Sequence, residues 1–429
     1  MSNGFIDVFK NKNFLKIWLA QIFSQTANNL LNFLLVVTVY DITHSNLKVS
    51  ILILCFTVPS IFFSIYGGVL ADRFSQKRIM YTVNFLRVVL ALGFVFGGFH
   101  LWSVYLLTFL ISSAMQFFLP AEAARIPQIV KQEDYLAANS LYISTNYATM
   151  IIGFSLVSFI QALQGINHFF LISLGFLFSS LILFSLPYDK PEIKGLSARI
   201  LFGDLKKDFM HGLNIIKGRA GIYMPIIYLS LIWVAFGMAY VLVPPLSKEI
   251  FHIPAADAGK MVVLPAIVGT GLGAVFVEYF GKRTRKVHLI NIGIFLVGIT
   301  ALLISLIPEI RQIFVNNSID KVFVINSFSK NIIISVLLSM VGFGAMAIIA
   351  PSQTILQIHT EKNMMGKVFG FLTMITNVLN MLPVLIVGYL TDLFDVKTVI
   401  FCIASLVILF GIANVLYVYV IKREKFENA

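Results

Sequence analysis

Within an apolar run near the start of the chain, Gln21, Gln25, Asn28, Asn29 and Asn32 fall at i, i+4, i+7, i+8 and i+11, one stripe along one side of a helix. An unpaired carboxamide in hydrocarbon costs several kcal/mol, so the stripe must face protein or water. Two roles fit: amides lining a cavity where they meet a bound molecule, or bonds to neighbouring helices at about 0.6–2 kcal/mol each. For Gln21 the second fits better. Partner stripes recur further along: Asn139, Tyr142, Asn146 and Thr149 in one apolar run, and Thr373, Thr376, Asn377 and Asn380 in another. Tyr228, Trp233, Phe236 and Tyr240 in a third run add aromatic surface, for which ordinary packing is the competing role.

Charge is scarce among these groups. Arg87 is the one charge well inside an apolar run, where an ionisable residue is a functional candidate by default and a structural arginine bonded to Asn84 or to carbonyls is the alternative. Glu122 is the best remaining titratable acid, with a plain ion pair to Arg125 on the same helix as its competing role. All seven His lie in or near expected loops with no metal spacing, and Cys55 and Cys402 are isolated in apolar runs. No metal site, cofactor or nucleophile-base constellation is legible, which argues against an enzyme.

The elements that must position these groups are membrane helices. Hydrophobic residues make up 58% of the 429 and charged ones 12%, outside the range of a soluble domain. Apolar runs long enough to cross about 30 Å of hydrocarbon fall near 14–40, 47–70, 77–99, 101–126, 135–163, 166–187, 222–246, 258–280, 286–308, 330–352, 364–391 and 396–421. The expectation is an all-α membrane protein with twelve transmembrane helices. If the amino terminus is cytoplasmic, 24 of the 32 Lys and Arg fall on the inner side, which sets both termini in the cytoplasm. The net charge of +12 then reports topology and contact with anionic lipid rather than nucleic acid. Nothing at the start reads as a cleavable signal peptide.

A polar segment at 189–221, with Leu201, Leu205, Phe209, Leu213 and Ile216 at helical spacing beside Lys206, Lys207, Lys217 and Arg219, is expected to lie as an amphipathic linker helix on the inner leaflet. It separates a six-helix bundle at 1–188 from another at 222–429. One internal echo supports a duplication. "GGVLADRFSQKR", with Gly68, Asp72, Arg73 and Lys77, follows the second run, and "AVFVEYFGKR", with Glu278, Gly281, Lys282 and Arg283, follows the eighth.

The first of these loops resembles the signature loop of the major facilitator superfamily. More narrowly, "NKNFLKIWLAQIFSQ", "LPAEAARIPQIV", "LAANSL", "DLKKDFMHGLNIIK" and "TILQIHTEKNMMGKVFGFL" stand in the order of similar text in its twelve-span macrolide-efflux-like exporter branch. The resemblance implies two pseudo-symmetric six-helix bundles rocking about a central cavity, in the cell inner (plasma) membrane, with no cofactor. It implies a cavity lined by Gln25, Asn28, Asn29, Asn32, Asn139, Tyr142, Asn146, Trp233, Tyr240, Thr373, Asn377 and Asn380, and a gate at the two loops. The partners expected are a small-molecule substrate, protons in exchange, and the bilayer, for a monomer that binds no nucleic acid.

The chain departs from the family pattern in places. Ser75 and Gln76 stand where Gly and a basic residue are usual, Ala27 and Asn28 where Gly-Asp is expected, Asn84 where an acid precedes the arginine, and only Gly153 remains of a Gly-Pro run. Coupling to protons then rests on Arg87 and Glu122. A neutral, amide-rich and aromatic lining suits a hydrophobic or amphipathic molecule better than a sugar phosphate or an amino acid. The function expected is therefore multidrug-type efflux by a secondary antiporter. A lipid-type transporter or an uncoupled facilitator on the same fold stays open, as do a non-transporting receptor or scaffold and a membrane-embedded enzyme.

Overall fold

The computed structural model describes residues 8–96, 100–131, 134–163, 167–188, 220–281, 284–308, 327–360 and 365–417. The amphipathic helix expected within 189–221 lies almost wholly outside these residues. Every regular element described is helical, as backbone in hydrocarbon requires when no barrel closes. The order is α1 (Lys12–Thr43), α2 (Asn46–Arg73), α3 (Gln76–Phe96), α4 (Leu101–Ile129), α5 (Tyr135–Ala162) and α6 (His168–Phe184). There follow α7 (Ala220–Pro245), α8 (Leu264–Phe280), α9 (Lys286–Ser305), α10 (Ser327–His359), α11 (Met365–Leu393) and α12 (Val396–Leu416). A π-helical turn, Leu246–Ile250, continues α7, and another, Gly259–Val263, leads into α8. Ten spans among the described residues are long and apolar enough to cross a membrane; α6, at 17 residues, is a shorter apolar helix, and α5 is not among the ten.

Local chemistry sets several helix starts. Asn11 Oδ1 accepts from the backbone N–H groups of Asn13 and Phe14 at the head of α1, while its Nδ2 donates to the carbonyl of Ile129. Asn167 caps α6 through Phe169 N, and Ser75 Oγ accepts from Arg78 N at the head of α3. Proline inside α2, α4, α7, α10 and α11 is of the kind membrane helices absorb through neighbouring groups.

Contacts divide the chain into two compact units, 1–42 with 51–205, and 43–50 with 206–429. In the first, α3 packs on α4 and α6; in the second, α9 packs on α10 and α12. Gly67 of α2 lies against the Gln116 carbonyl of α4, as Gly269 of α8 lies against Ser339 of α10. Gly153 of α5 meets Asn29 of α1, as Gly237 of α7 meets Asn380 of α11. Each pairing recurs six helices later. The two non-glycine residues at positive φ among those described, His44 at 49° and His252 at 54°, follow the first helix of each set. The close approach of α2 to α4 falls on Gly67, and a Cβ added at Gly68 meets nothing within 4 Å.

These glycines set how near the helices come, because membrane helices associate by packing and hydrogen bonds rather than by exclusion from water. A Cβ at Gly342 would sit 1.8 Å from the carbonyl oxygen of Ala266, which is backbone and cannot step aside. Gly342→Leu is expected to force α8 from α10 and to cost about 1–3 kcal/mol or more, read as a fall of several degrees in apparent melting temperature in detergent. Gly271→Ala, where a Cβ meets nothing within 4 Å, is the matched control and leaves the melting temperature unchanged.

Candidate functional site

The first unit is built around α1, whose apolar window is 61% buried, the largest share of any span. Its amide stripe turns inward at one end. Gln21 and Gln25 are buried, and Asn28, Asn29 and Asn32 are partly exposed. Gln21 Nε2 donates to the Tyr142 carbonyl of α5 at 3.1 Å, while its Oε1 is buried with no hydrogen-bond partner.

Arg87 of α3 is fully buried and lies against the same helix. Its Nη1 donates to Ser24 Oγ at 3.1 Å and to Asn84 Oδ1 at 3.2 Å, and its Nη2 donates to Asn28 Oδ1 at 2.5 Å. The guanidinium carbon sits 4.1 Å from the centre of the Phe176 ring on α6, a cation–π contact of a kind that gains strength when water is excluded. Asn84 Nδ2 donates to Ser179 Oγ at 2.8 Å, and Ser179 Oγ donates to the Ala20 carbonyl at 2.8 Å. One cation thereby ties α1, α3 and α6 together. The sequence named Asn84 as a partner of this arginine but not Asn28, Ser24 or Ser179; the two serines are single hydroxyls in apolar runs and carry no periodic signal.

Glu122 of α4 is 1% exposed. Its Oε2 accepts from the Tyr142 hydroxyl at 2.5 Å, its Oε1 has no hydrogen-bond partner, and it lies near enough to Arg87 for the two charges to interact. Arg125, one turn on, donates to Gln128 Oε1 at 2.8 Å and to the Pro187 carbonyl at 3.0 Å. Arg87 Nε, Glu122 Oε1 and Gln21 Oε1 are among the buried polar atoms of this unit without hydrogen-bond partners. Asn146 of α5 is partly exposed one helical turn beyond Tyr142. The side chain of Asn139 lies outside those described.

In the second unit the expected residues divide. Asn380 rests against Gly237, with its Oδ1 lacking a hydrogen-bond partner, and Asn377 is partly exposed three residues before it. Thr373 is exposed, whereas Thr376 is buried with its hydroxyl 3.4 Å from that of Ser230. Trp233 is 46% exposed and meets Phe236 edge-on, and Tyr240 is partly exposed. Tyr228 is buried and donates to Asn414 Oδ1 at 2.6 Å, and Asn414 Nδ2 donates to Asn291 Oδ1 at 2.7 Å. Asn291 and Asn414 were not anticipated, being lone amides in apolar runs.

At the expected gate, Gly68 and Gly281 are partly buried, Glu278 is exposed, and Lys77 stands 5.4 Å over the ring of Phe184. The side chains of Asp72, Arg73, Lys282 and Arg283 lie outside those described. Gln76, unusual for the family, is 3% exposed and donates to the Ala71 carbonyl at 2.9 Å, so with the Ser75 cap the turn is closed without glycine. A further acid stands at the other end of the helices. Asp392 accepts from Ser45 Oγ at 2.6 Å, Asn46 N at 2.5 Å and Leu47 N at 3.1 Å, a carboxylate on the first turn of α2. The Ser-Asn pair before an apolar run was its legible half.

Removing the arginine leaves Glu122 without its countercharge and Ser24, Asn28 and Asn84 without their donor. Arg87→Ala is expected to lower stability by about 3 kcal/mol or more, seen as reduced membrane yield and a lower melting temperature. Arg87→Lys keeps the charge without the fork and falls between.

The comparisons with known proteins agree on the family. The model of the Major Facilitator Superfamily matches residues 17–383. The uncharacterised MFS-type transporter YkuC of Bacillus subtilis is 25% identical over 305 residues, 68% of this chain and 70% of its own. Macrolide efflux protein A of Streptococcus pyogenes is 20% identical over 303 residues, 69% of this chain and 73% of its own. Among solved structures, a peptide transporter POT superposes with a TM-score of 0.72 at 12% identity, covering 96% of this chain and 95% of that one. At that identity the likeness shows the fold alone. With an all-helical structure holding at least ten spans and a family model across most of its length, the chain belongs to the major facilitator superfamily and is a multi-span membrane transporter of small molecules, not an enzyme.

Proposed function

We propose that the chain is a secondary active exporter of hydrophobic or amphipathic small molecules, working by alternating access in exchange for protons. In this proposal α5 and α6 also cross the bilayer, making twelve crossings in two duplicated bundles. Both termini are cytoplasmic, and the monomer sits in the cell inner membrane. The observation that carries it is the buried set of Arg87, Glu122 and Tyr142 beside the α1 amides. A carboxyl with one oxygen bonded and the other without a partner can take up and give up a proton, and a fixed guanidinium nearby makes the two protonation states differ in their pull on α3 and α4. In the first unit the amides of α1 offer hydrogen bonds without charge, and in the second the Trp233–Phe236 surface of α7 offers ring faces; each suits a neutral molecule. The relative named a macrolide efflux protein supports export as the direction.

Alternating access requires that contacts holding one end shut break when it opens. Asp392, with three bonds to the head of α2, is the acid proposed to act there, and Asp72, Arg73, Lys77, Glu278, Gly281, Lys282 and Arg283 are proposed to act at the cytoplasmic end.

The test is efflux from pump-deficient bacterial cells loaded with a panel of fluorescent amphipathic dyes and macrolides. The chain is expected to lower accumulation, faster with acid outside than with alkali outside, and a protonophore should abolish the effect. Glu122→Gln should lose proton-driven efflux on the order of tenfold while keeping energy-independent exchange. Asn28→Leu, which removes an Arg87 partner, should lose both. Equal accumulation in cells with and without the protein, with the protein shown to be in the membrane, rejects export. Efflux indifferent to the protonophore leaves export but rejects the coupling.

A further inference from the structure

The second unit carries a site that the transport proposal does not use. A groove of about 470 Å³ runs along α9 beside the end of α12, lined by His288, Asn291, Ile292, Phe295, Ile299 and Val415. Its volume falls within the range of small-ligand sites, roughly 300–1,000 Å³. Most of its wall is hydrocarbon, and Ile292 and Ile299 are about half exposed. One polar group interrupts it. Asn291 is 6% exposed, and its Oδ1 is taken by Asn414 Nδ2 at 2.7 Å. Its Nδ2 is buried with no hydrogen-bond partner. The chain of donors running from Tyr228 through Asn414 to Asn291 therefore ends on an N–H pair that has nothing to bond. A buried donor in that state costs free energy unless an acceptor comes from outside the chain.

The charge and depth of the groove say what that acceptor is. Arg285 and Lys286 open α9, and His288 stands at the same end of the groove. Six residues separate Arg285 from Asn291, about 9 Å along a helix, and eleven separate His288 from Ile299, about 16 Å. Half of a hydrocarbon core of about 30 Å is close to the second distance. A molecule with an anionic head, an ester carbonyl a few ångströms beneath it and a chain one leaflet deep fits all three features. A neutral lipid would leave the basic end unused, and a protein helix would bring no free acceptor to Asn291, its carbonyls being bonded within itself.

We infer that this groove is a binding site for one anionic phospholipid of the surrounding bilayer. Arg285, on the same face of α9 as Ile292 and Ile299, holds the phosphate, Asn291 Nδ2 donates to an acyl ester carbonyl, and one acyl chain lies along Ile292, Phe295, Ile299 and Val415. Through Asn414 and Tyr228 the same lipid completes a hydrogen-bonded line from α9 across α12 to α7. The site is separate from the Arg87 and Glu122 set and does not depend on which molecule the protein moves.

Purified, delipidated full-length protein is titrated with phosphatidylglycerol and with phosphatidylcholine, and retained lipid is counted by native mass spectrometry. Wild type is expected to keep one phosphatidylglycerol in preference to phosphatidylcholine. Asn291→Ala should weaken retention about fivefold, the size of one hydrogen bond, and Arg285→Gln should narrow the preference between the two lipids. Because Asn291 also serves the interior, Ile292→Trp provides the independent arm: it fills the groove from its exposed side, leaves the amide chain intact, and should abolish the specific adduct at unchanged melting temperature. Phosphatidylglycerol carrying a photoreactive group in its acyl chain should label peptides containing 292–299 and 415. Equal retention of the two lipids, undiminished retention by Ile292→Trp, or labelling confined to other helices overturns the proposal. None of these readouts involves transport, so failure of export in cells leaves them unaffected.

Discussion

The arrangement of the first unit depends on what a buried guanidinium demands. Arg87 is fully withdrawn from solvent, and a cation in that position is tolerable only with acceptors on several sides. Ser24 and Asn28 supply them from α1, Asn84 from one turn back on α3, and Phe176 supplies a ring face from α6. The three helices must meet at fixed rotation for those atoms to converge. Ser179 and the Ala20 carbonyl extend the same network along α1, so the pitch of one amide stripe is tied to the placement of one charge. Glu122, held by the Tyr142 hydroxyl through one oxygen, keeps the other without a hydrogen-bond partner.

The helices were legible because runs of apolar residues long enough to span hydrocarbon leave few alternatives. Expected runs such as 77–99, 101–126 and 286–308 match α3, α4 and α9 to within a few residues at most ends. The buried polar groups were legible only where they repeat. Five amides on one face of α1 announce themselves by period, whereas Asn291, Asn414, Ser24 and Ser179 are each a lone polar residue in an apolar run, and only the fold brings them to a partner. Asp392 escaped notice for a related reason. Its partners, Ser45 and the first amides of α2, lie some 346 residues away in the chain, a separation no local pattern encodes. Ser75 and Gln76 stand where the family loop usually has Gly and a basic residue. The Ser75 hydroxyl on Arg78 N and the Gln76 amide on the Ala71 carbonyl close it by side chains instead of by glycine.

The same economy of small residues appears in both units with its parts exchanged. In the first, the asparagine is on α1 and the glycine on α5, as Asn29 and Gly153; in the second, the glycine is on α7 and the asparagine on α11, as Gly237 and Asn380. Either order lets an asparagine side chain come up against a facing glycine. The two units therefore share one kind of contact while each presents the polar group from a different helix.

Carboxamides carry no formal charge, and this has an electrical consequence for the neutral solute proposed above. A neutral solute bound by such groups moves through the membrane field without work, whereas an elementary charge gains or loses about 2.3 kcal/mol per 100 mV. In an exchange of one such solute for one proton, the whole voltage dependence of the cycle would fall on the proton, and the choice of solute would leave the current per turnover unaltered.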